Sequence, residues 1–135
     1  MDRMETSRDG QKKSEIGSER SGARPAVDHQ VVKGLIRDLG PDTYRSLLST
    51  FSDEFIEVQG KLIAAMTAPD VDELRRHLHV IRSISLPIGA AELPRLVRTI
   101  ETHEDDEVLR ATARSLQNIA REFRRFQMAA FAQLS

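Results

Sequence analysis

The sequence contains no cysteine and no tryptophan, and only 4% of its 135 residues are aromatic. Without cysteine there is no disulfide framework, no thiolate zinc site and no cysteine nucleophile. The scarcity of aromatic rings argues against a surface that stacks on nucleic-acid bases. The lack of cysteine fits a reducing compartment, and we expect the protein to be cytoplasmic.

The sequence also lacks an excess of charge of one sign, and it lacks long apolar runs. The net charge is −1 although 30% of the residues are charged, and no basic face suggests contact with nucleic-acid phosphates. The apolar runs are too short to span a bilayer, and the N-terminus has no apolar signal core. We therefore expect neither a nucleic-acid nor a membrane partner.

Residues 1–26 are rich in charge and almost free of apolar side chains. Such a segment cannot bury enough surface to offset the entropy lost on ordering. We expect residues 1–26 to be a disordered tail or linker and residues 27–135 to form one domain. From Val27 onward, apolar residues recur three or four positions apart, which is the spacing of amphipathic helices.

This spacing, and the breaks between the periodic stretches, predict five helices. They cover residues 28–39, 42–67, 71–88 and 91–103, followed by a long helix that opens with the acidic run at 104–107. Asp28 is a predicted N-cap, and Gly89 is a predicted C-terminal cap. Short connections make neighbouring helices antiparallel. We predict an all-α, up-and-down antiparallel four-helix bundle with an additional short N-terminal helix across one end. One bundle accounts for every apolar stripe, so the stripes do not fix the oligomeric state; we expect a monomer.

Two of the four histidines, His77 and His79, lie two residues apart on the third predicted helix. On a helical wheel His79 faces water, whereas His77 lies at the edge of the apolar stripe and fills the margin of the core. Two metal ligands on one helix need a spacing of three or four residues. The pair therefore cannot chelate one ion, and we expect no metal site.

Arg75, Arg82, Ser83 and Leu86 share the helical face of His79. Two cations this close disfavour protonation of the imidazole, and they would attract a phosphoryl group and stabilise it once attached. Ser83 adds little bulk beside the ring. The arrangement suits a neutral, exposed histidine that accepts a phosphoryl group from a partner. The alternative is an exposed histidine among arginines that has no role.

The run HVIRSISLPIGA at 79–90, followed by Leu93, Leu96 and Ile100-Glu101, resembles the motif of the histidine-containing phosphotransfer (HPt) domain family. In that family a histidine is followed by any residue, an aliphatic residue, lysine, glycine and small residues, and a Gly-Ala pair stands at the spacing of Gly89-Ala90. The stretch LLSTFSDEF at 47–55 resembles the helix that precedes the active one. The resemblance covers roughly residues 28–134.

The resemblance implies that His79 is the phosphoacceptor and that Gly89 ends the active helix. Arg82 stands where the family usually has lysine beside the phosphoryl group, so a planar fork replaces a point charge. Ser83 stands where the family usually has a glycine that lets the partner approach closely. Its hydroxyl could donate to the phosphate or crowd the partner.

The resemblance also implies a phosphocarrier rather than a self-standing enzyme. It implies no ATP site and no cofactor of the chain's own, with Mg²⁺ held by the partner receiver domain. The implied partners are receiver domains of response regulators and a hybrid sensor histidine kinase. The predicted docking residues are Arg75, Arg76, Val80, Leu86 and Gly89.

Two other interpretations stay open at this point. One is a degenerate HPt-like bundle that binds receiver domains or other partners as an adaptor without phosphotransfer. The other is a helical adaptor or oligomerisation bundle in which His79 has no function. A local feature is also predicted: Pro87 removes an N–H that would bond the carbonyl of Ser83, and this suggests a slight kink near the end of the active helix.

Overall fold

The computed structural model describes residues 24–135, so the predicted tail lies outside the described residues except for positions 24–26. Of these three residues, Ala26 is packed in the domain. Ala26 is buried, and its carbonyl accepts a hydrogen bond of 3.0 Å from the N–H of Ala91. Packing of the described chain therefore includes Ala26, one residue before the boundary expected from composition.

Five helices make up the fold: α1 (His29–Leu39), α2 (Pro41–Thr67), α3 (Val71–Ser85), α4 (Glu92–Glu101) and α5 (Asp105–Ala132). The described part of the chain has no β-strand, and a single antiparallel bridge joins Val27 to Ala90. Helices α2 to α5 each pack on the next, and α5 packs back on α2, while α1 packs on α2. The predicted all-α bundle with an additional short N-terminal helix is confirmed.

The starts of α1 and α3 follow from local hydrogen bonding. The Asp28 carboxylate accepts from the N–H groups of Gln30 at 3.1 Å and Val31 at 3.3 Å. In the same way, Asp70 accepts from the N–H of Glu73 at 3.1 Å. Each aspartate satisfies amides that have no partner within the first turn of the helix. The N-cap predicted at Asp28 is confirmed.

An aromatic cluster joins the two long helices, α2 and α5. The rings of Phe55 and Phe123 stack with centroids 3.9 Å apart, and Phe51 meets Phe126 edge to face at 5.5 Å. Aromatic pairs of this kind stabilise a core beyond the area that they bury. The long helices thus form a frame on which the shorter α3 and α4 pack.

Helix α3 ends earlier than the apolar spacing predicted. Regular helix stops at Ser85 rather than at Ile88, and Pro87 lies in the turn that follows. Pro87 has no N–H to donate to the carbonyl of Ser83, so the helical hydrogen-bonding pattern cannot continue through it. The predicted kink within the helix is therefore wrong, since the proline lies beyond the helix.

The turn after α3 is closed by two backbone hydrogen bonds. The N–H of Gly89 donates to the carbonyl of Leu86 at 3.2 Å, and the N–H of Ala90 donates to that of Ser85 at 3.1 Å. This pair of bonds is the Schellman pattern, which places a left-handed residue at the cap. Gly89 has φ of +99°, so it has the capping role predicted for it.

Two further contacts hold this turn in place from outside. The buried hydroxyl of Tyr44 on α2 donates to the carbonyl of Ile88 at 2.9 Å, and burial raises the pKa of Tyr44 to about 12. The N–H of Asp28 donates to the carbonyl of Gly89 at 2.7 Å. The turn is therefore bonded both to α2 and to the start of α1.

Two buried carboxylates lie on α4 and α5, and the apolar spacing did not predict them. Glu92 is 2% exposed and Glu122 is 1% exposed. Arg95 binds both oxygens of Glu92, at 2.8 and 2.7 Å, and Arg125 binds Glu122. Arg125 also donates to the carbonyl of Arg24 at 2.7 Å. These pairs give each buried carboxylate an opposite charge. Oε2 of Glu122 has no hydrogen-bond partner in the described part of the chain and lies 3.9 Å from Nε of Arg121.

Replacing Gly89 by alanine is expected to destabilise the protein by about 2–4 kcal/mol. An added Cβ would lie 2.5 Å from Cγ2 of Val32, and the backbone has a positive φ that side chains disfavour. Urea or thermal unfolding of the purified variant measures the change.

Gly60→Ala is the matched control, because nothing lies within 4 Å of its added Cβ in α2. That variant should gain about 0.5–1 kcal/mol. Equal effects of the two substitutions would contradict the capping role of Gly89.

Candidate functional site

His79 lies on the solvent side of α3. The opposite face of the helix, including Leu78 and Ile81, is fully buried in the core. The side chain of His79 is 60% exposed, whereas that of His77 is 16% exposed. The two rings therefore occupy the different positions that the helical wheel predicts, and His79 is the one open to an incoming molecule.

The imidazole of His79 belongs to a cluster of three side chains. Nη2 of Arg82 lies 3.0 Å from Nδ1 of His79. Nε of Arg82 donates to Oε1 of Glu101 at 2.7 Å, and the other carboxylate oxygen lies 3.8 Å from Nδ1. The guanidinium thus bridges the imidazole and the carboxylate. We call these three residues the His79 cluster.

Sequence reasoning assigned no role to Glu101. The residue lies at the end of α4, and only the packing of α4 on α3 brings it to His79. Its carboxylate adds a negative charge to a site that the sequence predicted to be cationic, and Arg82 is ion-paired with it. The predicted electrostatic environment of the ring was therefore incomplete.

The guanidinium of Arg75 binds three groups at the end of α4 and the start of α5. Its guanidinium donates to Asp105 at 2.9 Å and to the carbonyls of Glu101 at 3.0 Å and His103 at 2.6 Å. A cation that binds the last carbonyls of a helix satisfies groups without helical partners. Arg75 therefore caps the end of α4 and fixes the backbone of Glu101.

The remaining predicted site residues differ in their access to solvent. Ser83 is exposed, and Leu86 is 50% exposed. Val80 is half-buried and packs against the core, while Arg76 is exposed and paired with a glutamate of its own helix. Gly89 is buried. Its assignment to a docking surface is therefore corrected: its backbone positions the turn that carries Leu86.

A shallow hollow of about 160 Å³ lies next to the His79 cluster. We call it the α3–α4 hollow, and its lining residues are Arg82, Leu86, Ala91, Pro94, Arg95 and Arg98. The hydrogen bond to Glu92 raises the pKa of Arg95. Arg98 is exposed and has no ion-pair partner among residues 24–135. The hollow thus combines apolar lining residues with a positively charged rim.

The chemistry open to this site is limited by what lies near it. Within residues 24–135, no three histidine, aspartate or glutamate side chains are grouped to hold a metal ion. No helix in that range is long and apolar enough to cross a membrane. The site offers an exposed imidazole with a cation and a carboxylate beside it, which suits a group-transfer reaction with a partner molecule.

Comparisons with known proteins identify the fold. No protein-family model matches the sequence, and no curated protein does. The structure is similar to the crystal structure of histidine-containing phosphotransfer protein B (HptB) from Pseudomonas aeruginosa PAO1, with a TM-score of 0.66. The match has 24% sequence identity and covers 82% of this chain and 95% of that chain. The chain therefore has the fold of an HPt protein.

Removing the Arg75 side chain is expected to destabilise the bundle although the residue lies at the surface. Arg75→Ala leaves two carbonyls and Asp105 without their donor, which should cost about 1–3 kcal/mol. Arg76→Ala is the control, because the only described partner of Arg76 is Glu73 in an exposed ion pair within α3. This variant should change stability by less than about 0.5 kcal/mol. Chemical unfolding of both variants tests the difference. Equal stabilities would contradict the capping role of Arg75.

Proposed function

We propose that the protein is a histidine phosphotransfer module of a two-component phosphorelay. His79 accepts a phosphoryl group from the phosphoaspartate of one receiver domain and passes it to another receiver. The observation that carries the proposal is the exposed imidazole of His79 in contact with Arg82 and beside Glu101. The fold shared with an HPt protein supports it.

In the proposed step the lone pair of Nε2 of His79 attacks the phosphorus of the aspartyl phosphate. A nitrogen–phosphorus bond forms as the phosphorus–oxygen bond to the aspartate breaks, and the aspartate leaves as a carboxylate. The proton on Nδ1 remains on the ring. The reverse step, with a second receiver, regenerates the free imidazole. No ATP is needed, because the energy of the bond comes from the phosphorylated partner.

Glu101 is the positioning residue for this reaction. A lone pair on Nε2 of a neutral imidazole requires the proton to be on Nδ1. The carboxylate oxygen 3.8 Å from Nδ1 is near enough to accept that proton in a hydrogen bond after a small rotation. A hydrogen bond at one ring nitrogen determines which tautomer is present, so Glu101 can orient the ring and direct Nε2 outward.

Arg82 and Ser83 are the groups of this chain nearest to an incoming phosphoryl group. The guanidinium supplies positive charge and paired donors for phosphoryl oxygens, and the exposed hydroxyl of Ser83 lies one helical turn from the ring. The Mg²⁺ ion that the proposal expects would belong to the partner receiver and neutralise charge on the transferred group. The bundle itself provides a rigid imidazole.

The proposed docking surface consists of the α3–α4 hollow and the exposed side chain of Leu86. A receiver domain that presents a phosphoaspartate among acidic groups would meet the arginine rim of the hollow, and complementary charge accelerates encounter. An exposed apolar side chain at the centre of a polar rim is typical of small interfaces. Upstream, we propose a hybrid sensor histidine kinase as the source of the phosphorylated receiver.

A binding-only function is the second candidate. Arg82 occupies the nitrogen next to Glu101, and Ser83 adds bulk where the family pattern has glycine. A bundle with these features could dock a receiver without taking its phosphate. The two candidates differ in whether label appears on His79.

The first test is phosphate acceptance from a phosphorylated receiver domain in the presence of Mg²⁺. The wild type should acquire an acid-labile, alkali-stable label, and His79→Gln should acquire none. His29→Gln is the matched control, because His29 is another exposed helical histidine. That variant should be labelled like the wild type.

Label on His79→Gln would assign the phosphate to another residue and contradict the proposal. If several receivers bind the folded wild type and none labels it, the binding-only function is correct.

The docking surface is tested by receiver affinity. Leu86→Asp should weaken binding about tenfold or more, because it places a charge at the apolar centre of the contact. Arg98→Glu should slow association and reduce its dependence on salt. Arg124→Glu changes an exposed arginine of α5 outside the hollow, and it should bind like the wild type. Equal affinities for all three variants would exclude this surface.

A further inference from the structure

The contact between Arg82 and His79 determines where the proton on the imidazole lies. A guanidinium group has hydrogen-bond donors and no acceptor. Since Nη2 of Arg82 lies 3.0 Å from Nδ1 of His79, Nδ1 must accept. In a neutral imidazole one nitrogen accepts and the other carries hydrogen, whereas in the cation both donate. A ring that accepts this hydrogen bond at Nδ1 is neutral and carries its proton on Nε2.

This tautomer cannot perform the proposed reaction. Nε2 is the ring nitrogen that Arg82 does not contact, and with a proton on it there is no lone pair to attack phosphorus. The nitrogen that does have a lone pair, Nδ1, is occupied by the guanidinium. The resting geometry is thus the opposite of the reactive one, in which the proton lies on Nδ1 and faces Glu101.

We propose that Arg82 is a latch that holds His79 in its unreactive tautomer until a phosphorylated partner arrives. This inference rests on the proposed function and adds a regulatory step at the same site. The phosphoryl group of a docked partner offers the guanidinium two or more anionic oxygens, and arginine pairs strongly with such groups. As Arg82 turns toward them, it leaves Nδ1.

The proton then changes position without net gain or loss. Solvent takes the proton from Nε2 and returns one to Nδ1, where the carboxylate of Glu101 accepts it in a hydrogen bond. Nε2 now has the free lone pair, and the guanidinium is already beside the oxygens on which negative charge resides. Unlatching and stabilisation of the phosphoryl group are therefore the same movement of one side chain.

The latch depends on the guanidinium group of arginine, which has donors on more than one nitrogen. Nε and Nη2 bind Glu101 and His79 at the same time, at 2.7 and 3.0 Å. A lysine at this position would keep the charge but has a single nitrogen, which the carboxylate would attract more strongly than a neutral imidazole. Arg82→Lys therefore removes the latch and keeps the cation.

The tautomer can be measured without any partner. Two-bond ¹H–¹⁵N correlation spectra of the imidazole rings, recorded at alkaline pH where an ordinary imidazole is neutral, distinguish the Nε2–H and Nδ1–H forms. Wild-type His79 should show the Nε2–H form. Arg82→Lys should shift it toward Nδ1–H. His103 is the internal reference for the opposite form, because its Nδ1 lies 3.1 Å from the carbonyl of Ile100, which can only accept.

The functional measurement is the single-turnover rate of phosphate acceptance. Arg82→Lys should accept roughly 3- to 10-fold faster than the wild type, which is the population change expected from losing one hydrogen bond. An unchanged His103 signal and an unchanged melting temperature serve as controls for folding.

An Nδ1–H tautomer at His79 in the wild type would refute the latch, whether or not phosphate is transferred. A shifted tautomer in Arg82→Lys with no faster acceptance would refute its regulatory role. The spectra could show the Nε2–H form while neither the wild type nor Arg82→Lys accepts phosphate. That result would refute the proposed function, and with it the proposal that Arg82 regulates phosphate transfer. Acceptance by Arg82→Lys alone would support both.

Discussion

The reversal of the chain between Ser85 and Glu92 is the constraint on which the site depends. Helix α3 ends at Ser85, Gly89 turns the backbone through its positive φ, and α4 begins at Glu92. The direction of α4 decides which of its residues face α3. Because the turn is bonded to Tyr44 and to Asp28, that direction is fixed from two sides of the molecule, and Glu101 arrives beside His79.

The site itself is a balance of charges rather than a concentration of one sign. Arg82 faces the carboxylate of Glu101, and Arg75 faces that of Asp105. At the rim of the hollow next to the cluster, Arg98 is exposed and has no ion-pair partner in the described part of the chain. An anionic partner would therefore find little unpaired charge at the imidazole and more at its rim. Under the proposed function, this division separates the surface that attracts a partner from the group that reacts with it.

Much of the fold could be predicted from the sequence because its determinants are local. Apolar residues spaced three or four apart indicate helices, and an aspartate such as Asp28 marks where one begins. Gly89 was identifiable as a cap because few other residues accept a positive φ. The end of α3 was less predictable, since apolar spacing continues to Ile88 through a turn whose hydrogen bonds are no longer helical.

The composition of the site was only partly predictable. The helical wheel correctly exposed His79 and placed Arg82 beside it, because residues three positions apart share a face. The helical wheel could not predict the contact with Glu101, because this residue is distant in sequence and reaches the ring only through the packing of α4 on α3. For the same reason Arg75 was expected beside a phosphoryl group, whereas it binds the end of α4. The burial of Glu92 was not predicted, because a glutamate is normally exposed. Its ion pair with Arg95 is what permits the burial.

The single tyrosine of the chain gives the fold a built-in optical reporter. The sequence has one tyrosine and no tryptophan, so tyrosine emission comes from Tyr44 alone. Its hydroxyl is bonded to the carbonyl of Ile88, in the turn that presents Leu86. Fluorescence from this ring therefore monitors the turn directly, without a dye or an introduced residue. A partner that lacks tryptophan and tyrosine could be followed as it docks from the native emission of this protein.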